Sequence, residues 1–212
     1  MKKYLAISIM LLALVPGTCH SAPPRVAFVG DSLTRGTGST GLHGYAGYYA
    51  DATGGETTRF VRYHLADAIV LWDEVEAWEP DVVVLELGIH AIVGCDHLAT
   101  QPDTFRRYYA MLLDLATATA PEVVVVDIPW MAWSAARAET AQRYNAIIQE
   151  EADERGATVV RTFNATEACG DGCLSGDGFH PNDAGHRMIT DEILRQSVRW
   201  LFMPVALKGR AR

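Results

Sequence analysis

The chain is predicted to be an α/β protein, a three-layer α/β/α sandwich on a five-stranded parallel sheet. Three observations predict it. Short β-branched runs recur five times along the sequence. Most are apolar on successive residues, as strands covered on both faces must be. Longer stretches of helical period follow them, the alternation that builds right-handed crossovers. The 212 residues, 49% hydrophobic and 21% charged, exclude a disordered, collagen-like or coiled-coil chain. A domain of this length buries roughly 70% of its unfolded surface, enough to carry a cleft without props.

In chain order, Arg25–Val29 is the first predicted strand and Thr58–Tyr63 the second. Leu65–Trp78 is a predicted helix with Ile69, Trp72 and Val75 at mixed spacing, followed by a strand over Asp81–Leu87. Asp103–Thr119 is helical, Glu122–Asp127 the fourth strand, and Ala135–Arg155 a helix ending at Gly156, where a left-handed C-cap is needed. Thr158–Arg161 is the fifth strand, and Asn182–Leu201 closes the chain as a helix after Pro181. In such sheets ligands bind beyond the carboxyl ends of the strands.

Residues 1–21 read as a secretory signal peptide and 22–212 as one domain. Lys2 and Lys3 precede the apolar run Tyr4–Val15, too short for a bilayer core of about 20 residues. Cleavage after Ser21 leaves Ala22 first. Acylation of Cys19 is disfavoured by Thr18 before it and Pro16 three before. The mature charge is (18 − 2) − 26 = −10, which repels nucleic acid and anionic membranes. The basic end Lys208, Arg210, Arg212 is too short to reverse this. The expectation is a secreted or periplasmic monomer, with no nucleic-acid partner and no stable membrane anchor.

Three cysteines remain: Cys95, Cys169 and Cys173. In an oxidising compartment Cys169 and Cys173 could close a small loop, leaving Cys95 odd. A zinc site on that pair is the alternative, although a lone C-x3-C lacks a second ligand pair.

Two segments carry chemistry. The first strand runs into Gly30-Asp31-Ser32-Leu33-Thr34, which places a serine at the carboxyl edge of a buried strand after a glycine turn, a nucleophile's position. The plain alternative is that Ser32 or Asp31 merely caps a short helix. The second segment is Asp177-Gly178-Phe179-His180-Pro181-Asn182. Asp and His three apart in a glycine loop can curl so that the carboxylate meets one ring nitrogen while the other faces a hydroxyl. Alone, Asp-x-x-His is an ordinary helix start. Following the fifth strand, however, it opens on the same sheet edge as Ser32.

These segments resemble blocks I and V of the GDSL/SGNH hydrolases, serine esterases and lipases with a flavodoxin-like fold. The resemblance implies Ser32 as nucleophile, His180 as general base and Asp177 as its orienting partner. The family's third block usually reads Gly-x-Asn-Asp; here it is Gly88-Ile89-His90-Ala91. His90 therefore stands where the oxyanion-binding Asn would, beside the Ser32 backbone N–H. The glycine of block II has no match in Tyr63-His64-Leu65-Ala66-Asp67, so its backbone donor falls to Leu65 or Ala66. No metal or organic cofactor is implied.

Other features are secondary. Gly36-Thr37-Gly38-Ser39-Thr40-Gly41 spells G-x-G-x-x-G, but Gly30-Asp31-Ser32 already occupies the strand-to-helix turn a dinucleotide fingerprint needs. It is expected to be a mobile loop. With Leu42, His43, Tyr45, Tyr48 and Tyr49 it forms either one wall of the cleft or a surface turn with packed tyrosines. Trp130 and Trp133, after the fourth strand, suit an acyl chain, an aryl ester or a sugar face, or else pack under the next helix. Asn164-Ala165-Thr166 spells a glycosylation sequon. The function expected is secreted serine ester hydrolysis of lipid, short acyl or aryl, or carbohydrate acetyl esters. O-acyl transfer and ligand binding by an impaired member are the alternatives.

Overall fold

The computed structural model describes residues 23–96 and 99–201. The leader, Cys19 and the basic C-terminal end lie outside the described residues. The elements are β1 (Val26–Gly30), α1 (Ser32–Arg35), α2 (Gly44–Thr53), β2 (Thr57–Val61), α3 (Leu65–Val70), α4 (Asp73–Ala77), β3 (Val82–Glu86) and α5 (Ile89–Val93). They continue with α6 (Pro102–Thr119), β4 (Glu122–Val126), α7 (Ala135–Arg155), β5 (Thr158–Val160), α8 (Phe163–Cys169) and α9 (Asp183–Leu201). Two 3-10 turns cover Thr40–Leu42 and Gly170–Cys173.

The five strands form one all-parallel sheet in the order β2-β1-β3-β4-β5, the doubly wound arrangement the strand-helix alternation predicts. The order reverses between β1 and β3. Right-handed crossovers then place α2 on one face and α3, α6 and α7 on the other. α9 follows β5 back to the first face and packs on α2, while α6 packs on α3 and α7. Both β1 and β3 are buried along their whole length. The edge strand β2 is only half-buried.

Side-chain packing explains where helices start and stop. Phe28 on β1 is met edge-on by Tyr45 and Tyr49 of α2, at ring separations of 5.6 and 5.4 Å. Burying each such ring stabilises by roughly 1.5–3 kcal/mol. The predicted helix 65–78 is divided into α3 and α4. Leu71 leaves helical geometry (φ −101°, ψ 20°), and buried Trp72 turns its indole Nε1 to Thr119 Oγ1 on α6 at 2.9 Å. α6 begins with Pro102 in its first turn, and α7 is capped by Ser134 and ends at left-handed Gly156. Buried Glu151 on α7 receives Arg106 of α6 and Arg155, each at 2.8 Å. Among the described residues no helix is long and apolar enough to cross a membrane.

Candidate active site

β1 and β3 lie side by side, and their carboxyl ends carry the first half of the site. Gly30 is opposite both Val61 of β2 and Glu86 of β3. A Cβ at Gly30 would sit 1.9 Å from Thr34 Oγ1 and 2.4 Å from the Glu86 carbonyl oxygen, so only glycine lets the chain turn there. Asp31 then accepts the Leu33 amide on Oδ1 at 3.0 Å and caps the single-turn helix α1. Ser32 is thereby fixed at the sheet edge, all but buried.

The second half comes from the loop before α9. Gly178 takes a positive φ of 69° and its N–H donates to the Ser175 carbonyl at 2.9 Å, closing a turn that folds Asp177 back over His180. Asp177 Oδ2 lies 2.7 Å from His180 Nδ1, and His180 Nε2 lies 3.0 Å from Ser32 Oγ. Asp177 Oδ1 accepts Ser175 Oγ at 2.7 Å and the Phe179 and His180 amides at 2.9 Å. Burial pushes the Asp177 pKa up, but these hydrogen bonds, led by the one to His180, hold the carboxyl well below the usual carboxylate range. The structure thus brings Ser32, His180 and Asp177 into one hydrogen-bonded line.

His90 lies in the first turn of α5, after Gly88 at φ 134°. Its ring is edge-on to Tyr63 and His64, at centroid separations of 5.5 and 5.6 Å. Nδ1 is buried and without a hydrogen-bond partner. Burial, then the neighbouring His64, lowers its pKa, which favours the neutral ring with one N–H to give. Of the two candidate backbone donors after β2, the Leu65 amide is turned to buried Asp96 Oδ2 at 3.4 Å.

The structure corrects one expectation and decides alternatives left open at three other places. The glycine-rich segment is pinned. Its Thr40 N–H and Oγ1 donate to Asp183 at 2.8 and 2.7 Å. The residues after it form α2, and Tyr45 and Tyr49 are core side chains on Phe28 instead of a cleft wall. Cys169 and Cys173 are bonded to each other, the loop closure expected in an oxidising compartment and not the zinc alternative, and Cys95, the odd cysteine, is an exposed free thiol. After β4, Ile128 and Met131 are buried, Trp130 is half-buried, and Trp133 packs on the core with Nε1 buried.

A buried polar cluster beneath Ser32 escaped sequence reasoning. Asp31 and Glu86 are wholly buried, and Thr34 Oγ1 links Tyr45 OH at 2.6 Å to Glu86 Oε2 at 3.5 Å. Burial raises Asp31 to about 7. Burial, then the charge of Asp31, also raises Glu86 well above the carboxylate range. The one visible signal was an acid ending the otherwise apolar Val82–Glu86 strand. Among the described residues no group of three or more His, Cys, Asp or Glu is placed to hold a metal ion.

Solved structures share this architecture. LAE5, an alpha/beta hydrolase enzyme from the metagenome of Lake Arreo, Spain, superposes with a TM-score of 0.70 at 19% identity, covering 84% of this chain and 96% of that one. Axe2, an acetylxylan esterase from Geobacillus stearothermophilus, gives 0.69 at 20% identity, covering 90% and 98%. No curated protein sequence matches the chain. The profile of the GDSL-like Lipase/Acylhydrolase family matches residues 28–188, a span that runs from β1 into α9 and contains Ser32, His90, Asp177 and His180. The chain belongs to the GDSL-like lipase/acylhydrolase family and is a carboxylic ester hydrolase.

Proposed function

We propose that the protein is a secreted serine ester hydrolase working through an acyl-enzyme on Ser32. The observation that carries this is the line Asp177–His180–Ser32, with both imidazole nitrogens engaged at 2.7 and 3.0 Å. His180 Nε2 takes the Ser32 proton as Oγ attacks the ester carbonyl carbon. The resulting oxyanion accepts from the Ser32 backbone N–H and from His90. The carbon–oxygen bond to the alcohol breaks as His180 returns the proton to it. Water then attacks the acyl-Ser32 ester with His180 again as base, releasing the acid and restoring the serine. Asp177 stays ionised and holds the ring in the tautomer that leaves Nε2 free to accept.

The substrate class proposed is a small acyl ester, with acetyl groups on carbohydrate as the narrower reading. The acetylxylan esterase activity of Axe2 and half-buried Trp130 beyond β4 support it. Export is supported by the Lys2-Lys3 leader and by the Cys169–Cys173 bond. Hydrolysis of p-nitrophenyl acetate, butyrate and octanoate, and of acetylated xylo-oligosaccharide, tests the reading. Rates falling with chain length support it. A preference for octanoate with no release of acetate from the sugar contradicts the substrate class. His90 in the amide's place favours one second reading, an impaired member that binds its ligand but turns over poorly; Ser32 would then resist fluorophosphonate.

A further inference from the structure

We propose that His186 is a positioning residue: it locks the nucleophile turn to the helix that follows the general base, and so keeps Ser32 Oγ in reach of His180 Nε2. The inference rests on the catalytic reading above. Ser32 and His180 stand 148 residues apart in sequence, on segments that share no strand pairing. A single hydrogen bond between two side chains is a poor way to hold a geometry that catalysis needs within about half an ångström.

The structure supplies a second connection. His186 lies in the first turns of α9, six residues after His180, and is wholly buried. Its Nδ1 accepts the Tyr45 amide at 3.2 Å. The ring proton is therefore on Nε2, which donates to the Thr37 carbonyl at 3.0 Å. The Thr37 amide in turn donates to the Ser32 carbonyl at 2.9 Å. An unbroken run of hydrogen bonds thus joins the main chain of the nucleophile to α9. Burial lowers the His186 pKa to about 4, which keeps the ring in its neutral, one-donor and one-acceptor form.

Two neighbours act in the same direction. Asp183 takes the Thr40 amide and hydroxyl and also Tyr48 OH at 2.9 Å. Gly38, at φ 92°, lies so close to the base's own main chain that a Cβ there would be 2.3 Å from the Pro181 carbonyl oxygen and 2.9 Å from His180 Cβ. The glycine-rich segment that spells a nucleotide fingerprint is used instead as a spacer pressed between nucleophile and base.

The test compares His186→Leu, His186→Gln and Asp183→Asn with wild type. It reads the fluorophosphonate labelling rate of Ser32, kcat and KM on p-nitrophenyl acetate, and amide hydrogen exchange. Leucine fills the space without the hydrogen bonds, whereas glutamine can both accept from Tyr45 and donate to Thr37. His186→Leu is expected to slow labelling and kcat by about 10–100-fold with KM within about threefold. His186→Gln should recover most of the loss. Exchange should quicken together over residues 32–42 and 175–182. A folded His186→Leu protein that labels at the wild-type rate overturns the proposal. Should that variant not fold, Asp183→Asn decides: a several-fold loss in kcat at unchanged KM supports the clamp, and no loss overturns it. Should wild type itself not label, the hydrolase reading falls, and exchange alone judges the clamp: joint quickening upholds it, and a change confined to α9 overturns it.

Discussion

One carboxylate of Asp177 grips His180 twice: Oδ1 takes the main-chain amide at 2.9 Å while Oδ2 takes the ring Nδ1 at 2.7 Å. The residue that selects the imidazole's tautomer therefore also shapes the loop that presents it. In Asp177→Asn one of these acceptors becomes an NH2 donor. Either the loop amide loses its acceptor or the ring is pushed into the opposite tautomer, with Nε2 protonated and unable to take the Ser32 proton. We predict a fall in kcat of about 10²–10⁴-fold with a small change in KM, read from steady-state kinetics on p-nitrophenyl acetate.

His90 is predicted to be a working oxyanion donor. Burial, then the neighbouring His64, lowers its pKa, which favours the neutral ring with one N–H to give. His90→Ala should lower kcat by about 10²–10³-fold, the scale of one oxyanion donor. His90→Asn should retain activity within about tenfold, because an amide can give the same hydrogen bond. Equal rates for wild type and His90→Ala would remove His90 from the site.

All five strands and the longest helices were legible because β-branched runs and helical spacing mark them locally. α2 was not. Gly44, Gly47 and three tyrosines give it no apolar stripe, and what holds it is tertiary, Tyr45 and Tyr49 against Phe28. That Ser32 meets the Asp-x-x-His pair was legible because both segments open on the same sheet edge, while the roles assigned to them came from the family resemblance. Asp183 and His186 looked like ordinary helix residues, since their partners Tyr48, Tyr45 and Thr37 lie 135, 141 and 149 residues away. The Leu65 amide's partner was hidden for the same reason: Asp96 lies 31 residues on.

The buried acids predict a stability profile that falls toward alkaline pH. Burial raises Asp31 to about 7 and Asp127 to about 6, against roughly 4 in an unfolded chain. Between about pH 4 and 7 Asp31, Asp127 and Glu86, itself raised by burial, bind more protons in the native state than in the unfolded one, so their joint contribution declines as pH rises through that window and outweighs buried His186, lowered to about 4, whose contribution rises with pH over the lower part of it. Asp183, lowered to about 2 by its hydrogen bonds to Thr40, has the opposite sign: its contribution is lost as pH falls below about 4. Urea unfolding should give lower stability at pH 8 than at pH 5. Asp31→Asn, which keeps a capping oxygen, should flatten the difference. Stability rising from pH 5 to 8 in wild type would contradict this.

The Cys169–Cys173 bond braces the base loop from behind. The Asn182 amide donates to the Cys173 carbonyl at 2.9 Å, and Asn182 Nδ2 reaches the Gly172 and Leu174 carbonyls at 2.9 Å each. Replacing both cysteines by serine should cost at most ~2 kcal/mol, since the loop closed is short. It should also lower kcat more than it changes KM. Thermal unfolding and steady-state kinetics on the double variant check both.

The central claim is a covalent acyl-enzyme on Ser32. The most direct test is intact-mass analysis of wild type and Ser32→Ala after brief mixing with p-nitrophenyl acetate and an acid quench. The account predicts one acetyl adduct on wild type, mapped to Ser32 by peptide analysis, none on Ser32→Ala, and p-nitrophenol release that vanishes with the serine. Ester hydrolysis that persists in Ser32→Ala, or an adduct mapped to another residue, would contradict it.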